Sequence, residues 1–502
     1  MPASDENDQL HDHHTHPTDW RNPAPAGRYN LVVLGGGTAG LVCAAGAAGL
    51  GAKVALIERD RLGGDCLNVG CVPSKALLRC ARAAAEVRRA GEFGVEVGSN
   101  VRVDFAAVMH RMRRLRAEIS PHDSAERLRN LGVDVFFGEG RFVGQDAIEV
   151  QGQRLDFARA VIASGSLPAD PAIPGLAAAD FLTNETVFAL PFLPARLAVI
   201  GAGPIGCELS QAFARFGSEV HLIHRSPAVL PREEAEASAI LKQRFEHDGI
   251  RLHLNAQVMR VEKNGEGRRL VIAQGGQERE QVVDAILVAV GRHVDVTRLG
   301  LEAAGVASTA KGVTVNDFLQ TINPRIYAAG DACGSYQFTH AADEMARIVL
   351  RNALFFGRER LSRRVVPWCT YTEPEVARVG LSVRQSAERR LGIRTIHVPF
   401  ADIDRAVLDG EADGFAMIHI RQGSDRILGS TIVAAHAGEM IGVLTLAMNE
   451  GLGLSALSRL VQPYPTVAEA IKKAGDAYQK TRLTPRVARW MRTLLRWRRG
   501  RI

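Results

Sequence analysis

Nowhere in this 502-residue chain do apolar side chains run unbroken for the roughly 18 to 20 positions that a membrane span requires. The stretch from Leu41 to Leu50 is broken by glycines and ends early. The first thirty residues hold no apolar run of the kind an export signal carries, which sets the expectation of a cytoplasmic protein. Cysteine is scarce: seven residues at irregular spacing are too few for the disulfide framework of a small secreted domain. Cys66 and Cys71 have no second Cys or His pair at ligand spacing, so no metal centre with four soft ligands is expected. The formal charge is +7, but much of the excess lies in one tail, so the body gives no reason to expect a polyanionic partner. What is present in quantity is apolar residue, 46% of the chain, enough for two to four separate cores.

Residues 1 to 28 are polar, carry proline and few large apolar side chains, and are expected to form a disordered tail. His11, His13, His14 and His16 could hold a transition metal weakly. A solvated segment is the plainer reading, and no site is assigned there.

Order is expected from Tyr29-Asn30-Leu31-Val32-Val33-Leu34, a short apolar strand, followed by Gly35-Gly36-Gly37-Thr38-Ala39-Gly40 and an Ala/Gly/Leu helix. In that order the glycines have separate tasks. Gly35 permits the tight turn, Gly37 lets a pyrophosphate approach the backbone, and Gly40 lets helix and strand pack closely. The helix start offers free N–H groups to phosphate. The next strand ends at Glu58, whose carboxylate can accept from a ribose diol and disfavours a 2′-phosphate, so FAD or NAD fits better than NADP.

A second fingerprint follows in Leu197-Ala198-Val199-Ile200-Gly201-Ala202-Gly203-Pro204-Ile205-Gly206-Cys207-Glu208. Its glycines Gly201, Gly203 and Gly206 repeat the first pattern, so two nucleotide folds share the chain. The strand after it runs into His224-Arg225-Ser226 and then Arg232, with no acid at its end. Arg225 and Arg232 can pair with a 2′-phosphate, which favours NADP(H) over NAD(H); solvated surface arginines are the alternative.

Between the two folds lies Gly63-Gly64-Asp65-Cys66-Leu67-Asn68-Val69-Gly70-Cys71-Val72-Pro73-Ser74-Lys75. Two cysteines five apart, just downstream of a dinucleotide signature, suggest a redox-active disulfide fed by a bound cofactor; two unrelated buried cysteines are the other reading. Cys43, Cys80, Cys207, Cys333 and Cys369 stand singly in apolar or helical contexts and are expected to be small core residues. Further on, Asp331 follows a strand-like stretch and precedes a helical pattern, where it can bind a cofactor hydroxyl or simply cap a turn.

Together these motifs make the chain resemble the class I pyridine nucleotide-disulfide oxidoreductase family, in the branch of mercuric reductase and dihydrolipoamide dehydrogenase. The resemblance covers roughly residues 29 to 480. It also rests on Ala163-Ser164-Gly165-Ser166-Leu167-Pro168, Gly291-Arg292, Ala329-Gly330-Asp331 and Thr372-Glu373-Pro374-Glu375-Val376-Ala377-Arg378-Val379-Gly380.

The fold this implies is α/β, with two Rossmann-like nucleotide-binding domains and an α+β C-terminal dimerisation domain. The expected FAD domain is discontinuous, at 29–172 and 294–360; the NAD(P) domain spans 173–293 and the dimerisation domain 361–480. In such a homodimer, electrons pass from NAD(P)H through flavin to the Cys66–Cys71 disulfide and then to an acceptor. By resemblance Cys71 is the flavin-proximal thiolate and Cys66 the interchange thiol, while Lys75 and Glu208 match the pair beside the flavin. A helix beginning near Cys71 would stabilise its thiolate.

The family pattern is broken at Gln462-Pro463-Tyr464-Pro465-Thr466-Val467-Ala468-Glu469. Members that reduce disulfides carry His before this Pro-Thr, bonded to the Glu, and here Tyr464 stands in its place. A phenol with an ordinary pKa near 10 is a poor base at neutral pH, so weak turnover of small disulfides is expected. Mercuric reductase also places Tyr there, but it delivers its ion through a C-terminal cysteine pair, and no cysteine follows Cys369.

From Arg482 to Ile502 there are eight arginines and no acid, with Val487, Trp490, Met491, Leu494 and Leu495 at helical spacing. This basic amphipathic tail, 481–502, suits packing on the protein itself or peripheral contact with the inner membrane surface; nucleic acid is disfavoured. The reading that results is an FAD-dependent NAD(P)H oxidoreductase acting on a small-molecule acceptor. A diaphorase or quinone reductase, a mercuric reductase, a dihydrolipoamide dehydrogenase and a flavin-bound interaction protein stay open beside it.

Overall fold

The computed structural model describes residues 5–25, 27–98, 101–265 and 267–500. The chain forms two compact units, Met1–Pro227 with Asp248–Arg363, and Ala228–His247 with Arg364–Ile502.

In the first unit the strand Tyr29–Leu34 is buried on both faces except at Asn30, as expected of a parallel strand with a nearly continuous apolar run. It pairs in parallel with Val54–Glu58 on one side and Gln153–Ile162 on the other. Val133–Phe137 extends the sheet beyond the former, Ile326–Ala328 pairs in parallel with Gln153–Ile162, and the antiparallel strands Ala147–Val150 and Gly140–Gly144 continue from Gln153–Ile162, giving seven strands. The helices Thr38–Gly49 and Thr339–Leu354 cover one face, where Leu31, Val33, Ala44 and Ala47 pack with Met345, Ile348 and Val349. A β-carbon added at Gly46 would lie 2.6 Å from the Leu350 side chain, so the absence of a side chain there lets the two helices close up.

The same unit holds a four-stranded parallel sheet in the order Arg251–Leu254, Glu219–His224, Arg196–Ile200, Ala285–Val288. The helix Pro204–Phe216 follows its central glycine turn. Both strand–turn–helix units read from the sequence therefore lie in this unit.

The disordered tail expected over 1–28 is corrected over 5–25; residues 1–4 and 26 lie outside the described residues. Glu6–Thr15 is a helix, started by Asp5, whose side chain accepts from the Asn7 N–H at 3.0 Å. Its polar composition is met by partners rather than by water. Asp5 pairs with Arg113 at 3.1 Å, Asp8 with Arg116 at 2.7 Å and Asp12 with Arg61 at 2.8 Å. His16 stacks on Phe137 at 4.3 Å between centroids, and Trp20 donates to the Val135 carbonyl at 3.2 Å. A segment with few apolar residues is ordered because complementary charges await it on the folded surface. Among the described residues no group of three or more His, Cys, Asp or Glu side chains is placed to hold a metal ion.

The second unit is built on an antiparallel sheet in the order Pro367–Thr370, Glu375–Gly380, Ile427–Ala434, Phe415–Arg421, Ile393–Pro399. The helix Ala437–Asn449 buries Ala437, Met440, Ile441, Leu444 and Ala447 at helical spacing. Segment 228–247, assigned from sequence to the NAD(P) domain, clusters with this unit. The cause is a buried polar network: Arg378 donates to the Arg232 carbonyl at 2.7 Å and lies over Trp368, which donates to Glu233 at 2.8 Å. Beyond the helix Glu469–Arg482, Pro485–Arg499 forms a helix capped by Thr484, and none of its residues is buried.

Candidate active site

The first glycine turn is built for close approach. Gly35 has φ +112°, and a β-carbon there would sit 2.3 Å from the Ala163 carbonyl oxygen. Gly201 repeats this, with φ +112° and the Ala289 oxygen at 2.3 Å. Only glycine tolerates such a position without strain. Gly40 and Gly206 likewise pass against the carbonyls of Gly35 and Gly201 at a distance that would leave a β-carbon only 1.8 Å away. Gly37 and Gly203 are the cap residues from which the helices Thr38–Gly49 and Pro204–Phe216 start, so the free N–H groups of both helix starts face the turn.

Glu58 ends its strand with one carboxylate oxygen accepting from the Gly36 N–H at 2.6 Å and the other from the Asp60 N–H at 2.8 Å. Burial pushes its carboxyl upward. In the same unit Asp331 lies just beyond the strand Ile326–Ala328 and accepts from Ser166 at 2.6 Å. Arg292 donates to Ser166 Oγ and to the Ser166 carbonyl, both at 2.7 Å, and also pairs with Asp65, the residue before Cys66. The Ser164 hydroxyl, beside Gly35, is buried and finds no hydrogen-bond partner among the described residues. A glycine cradle with an orphan hydroxyl and two strand-end carboxylates fits an extended dinucleotide such as FAD.

The cysteines lie on adjoining helical segments. Cys66 belongs to the short helix Gly64–Asn68, and Cys71 is the first residue of the helix Cys71–Arg88. Both are free thiols. Cys71 Sγ lies 3.4 Å from Thr339 Oγ1, and Lys75, one turn along its helix, bonds Glu208 at 2.9 Å. The Cys71 thiol is pulled down to about 6, first by the hydrogen bond from Cys66, then by Thr339 and the Lys75 charge, against burial and Glu208. Cys66 moves upward, because it donates to Cys71 and is desolvated. The pair therefore divides its protons: Cys71 holds the negative charge and Cys66 the hydrogen.

At the second turn, Ala202 donates its N–H to His224 Nδ1 at 3.3 Å. Burial and the Arg225 charge hold the imidazole below its ordinary range. Its Nε2 is buried without a hydrogen-bond partner among the described residues. Arg225 is exposed beside it. Arg232 belongs to the other unit, where its carbonyl is bonded to Arg378.

In the second unit Tyr464 is 69% exposed and donates to Asp404 at 2.8 Å, which raises its phenol pKa further. Packing in a core is not its role in this unit. Glu469 begins the helix Glu469–Arg482 and pairs with Lys473 at 3.8 Å, while its Oε2 is buried without a hydrogen-bond partner among the described residues.

Of the sequence-derived residues, the structure brings together Cys66, Cys71, Lys75 and Glu208, and separately Gly35, Gly37, Gly40 and Glu58. Sequence reasoning missed Thr339, Ser166, Arg292 and His224 as polar partners. Ser166 and Arg292 stood inside quoted motifs, but nothing local paired them; Thr339 carries only the weak signal of opening a helix after Asp331.

Comparison with known proteins agrees with this geometry. The pyridine nucleotide-disulphide oxidoreductase model matches residues 29–346, and the model of that family's dimerisation domain matches residues 366–475. Mercuric reductase of Staphylococcus aureus is 34% identical over 455 residues, 90% of this chain and 83% of that protein. Dihydrolipoyl dehydrogenase of Chlamydia trachomatis is 35% identical over 448 residues, 88% of this chain and 95% of that protein. Among solved structures, the HOCl-induced flavoprotein disulfide reductase RclA from Escherichia coli aligns with a TM-score of 0.79 at 26% identity, covering 89% of this chain and 99% of its own. LpdA from Mycobacterium tuberculosis aligns with a TM-score of 0.81 at 27% identity, covering 89% and 98%.

Proposed function

This chain belongs to the pyridine nucleotide-disulphide oxidoreductase family, and we propose that it is an NADPH-driven reductase whose Cys66–Cys71 pair delivers two electrons to a small-molecule acceptor. It is an FAD-dependent NAD(P)H oxidoreductase with a redox-active cysteine pair, and its dimerisation domain makes it a homodimer. FAD, when bound, supplies the two-electron relay between nicotinamide and the cysteines. The residues that would hold it are the turn Gly35, Gly37 and Gly40, Glu58 for the ribose, and Asp331. The turn Gly201, Gly203 and Gly206 would hold the nicotinamide dinucleotide, with the exposed Arg225 of the same unit offered to a 2′-phosphate.

The observation that carries the reading is the unequal pair of thiols. With Cys71 near 6 and Cys66 raised, the reduced pair at neutral pH is one thiolate and one thiol. When it is oxidised, Cys66 loses its proton, the S–S bond forms and two electrons leave to the acceptor. Lys75, oriented by Glu208, keeps a cation near the thiolate. Tyr464, with its proton held by Asp404, is a poor partner for proton exchange with a dithiol. That favours an acceptor which needs no base there over lipoamide or glutathione disulfide. A dithiol that must return to its reduced form suits a reducing compartment, so the cytoplasm is the proposed location.

An anaerobic NADPH titration of wild type, Cys66→Ser and Cys71→Ser, followed by a panel of quinone, mercuric ion, lipoamide and glutathione disulfide, tests this. Expected is a long-wavelength thiolate–flavin band in wild type and Cys66→Ser, absent in Cys71→Ser, with acceptor turnover lost in both variants. Full turnover in Cys66→Ser would mean that electrons leave without the cysteines, as in a diaphorase.

A further inference from the structure

The helix Pro485–Arg499 has no buried residue, yet it carries a full apolar face. Val487, Trp490, Met491, Leu494, Leu495 and Trp497 fall on one half of its circumference and are 38% to 65% exposed. Arg486, Arg489, Arg492, Arg496 and Arg499 fall on the other half, and Arg498 enters the apolar strip only in the last turn. Soluble surface helices spend such a strip on their own core. In this one Val487, Trp490, Met491, Leu494 and Leu495 stay exposed.

We propose that this helix docks the enzyme on the surface of an anionic lipid bilayer. The charge selects the partner: 482–502 contains eight arginines and no acid, so the complement is a dense negative surface. The apolar half excludes a nucleic acid as the best match, since a phosphate backbone would satisfy the arginines and leave the strip wet. A bilayer interface satisfies both halves at once, with the strip in the acyl boundary and the arginines among the headgroups. Trp490 and Trp497 lie along one border of the strip, where an indole can keep its ring in the apolar layer and its N–H among polar groups. A second copy of the helix fits less well. Fifteen residues hold only two heptads, Met491 and Leu495 widen the strip beyond a coiled-coil seam, and the facing arginines repel. The helix lies on the membrane rather than crossing it, for no helix of the described residues is long and apolar enough to span.

The test is flotation of the full-length, FAD-loaded protein with vesicles of equal parts phosphatidylglycerol and phosphatidylcholine, against vesicles of phosphatidylcholine alone. Expected is binding to the anionic vesicles that weakens at least about tenfold on raising salt from low to molar concentration, and little binding to the zwitterionic ones. Trp490→Glu with Leu494→Glu, and separately Arg489→Ser with Arg492→Ser and Arg496→Ser, should each abolish flotation while NADPH-dependent flavin reduction stays unchanged. Absence of wild-type flotation overturns the proposal, as does flotation that survives both sets of substitutions. So does a fall in oligomeric mass by light scattering in Trp490→Glu with Leu494→Glu, because a second copy would then be the occupant. Flavin reduction is read separately, so failure here leaves the redox assignment standing.

Discussion

The Ala202 N–H donates to His224 Nδ1 at 3.3 Å, in the place where the first nucleotide turn has the Gly36 N–H donating to Glu58 Oε2 at 2.6 Å. Two turns of the same shape are thus tied to their second strands by different chemistry. A carboxylate suits a ribose diol and repels a 2′-phosphate; an imidazole next to Arg225 does not repel it.

NADPH should therefore be preferred, and the preference should turn on this position. His224→Glu restores a strand-end acid that still accepts from Ala202. It should lower kcat/KM for NADPH by on the order of tenfold or more while leaving or improving NADH. Steady-state kinetics with both cofactors decide it: equal loss with the two would mean that the substitution merely damaged the turn.

The thiolate of Cys71 should be visible in its pH dependence. Its pKa is lowered to about 6, so the long-wavelength band of the reduced enzyme should be full at neutral pH and fade as pH falls through about 6. Lys75→Met removes a charge that lowers this pKa, and should move the midpoint of the band upward, toward the ordinary thiol range. A midpoint that does not respond to Lys75→Met would remove that lysine from the electrostatics of the pair.

Tyr464 should act as a donor rather than a base. Because the Tyr464 hydroxyl donates to Asp404 at 2.8 Å and its pKa is raised, wild type should turn over lipoamide and glutathione disulfide weakly. Tyr464→Phe should leave the NADPH half-reaction nearly intact in stopped flow. Tyr464→His should increase disulfide turnover if Glu469, which has a buried oxygen without a hydrogen-bond partner among the described residues, orients the new ring. Vigorous wild-type disulfide reduction that is insensitive to Tyr464→Phe would show that the phenol has no part in it.

The N-terminal helix should contribute to stability. Arg116 is 14% exposed, bonds Asp8 at 2.7 Å and donates to the Asn68 carbonyl, between the two cysteines, at 2.9 Å. Asp8→Asn leaves that guanidinium without its counter-charge and should cost about 2 kcal/mol. A drop of several degrees in the thermal midpoint, with FAD still bound, would bear this out; an unchanged midpoint would show that the helix is only lightly attached.

What the sequence determined by itself is whatever lies within one strand–turn–helix unit or one loop. Gly35, Gly37, Gly40 and Glu58 declare a nucleotide turn because the backbone conformation they permit is local, and Cys66 and Cys71 stand only five positions apart. Tertiary structure decided the partners. Cys71 meets Thr339 across 268 residues, which no motif announces, and Lys75 meets Glu208 across 133, a pair that only the family resemblance and no local spacing pointed to. It also decided that a polar N-terminal segment is ordered and that 228–247 packs with the C-terminal unit. Composition measures how much apolar surface a segment can bury, whereas a charged segment is ordered by counter-charges on surfaces that exist only after the rest of the chain has folded.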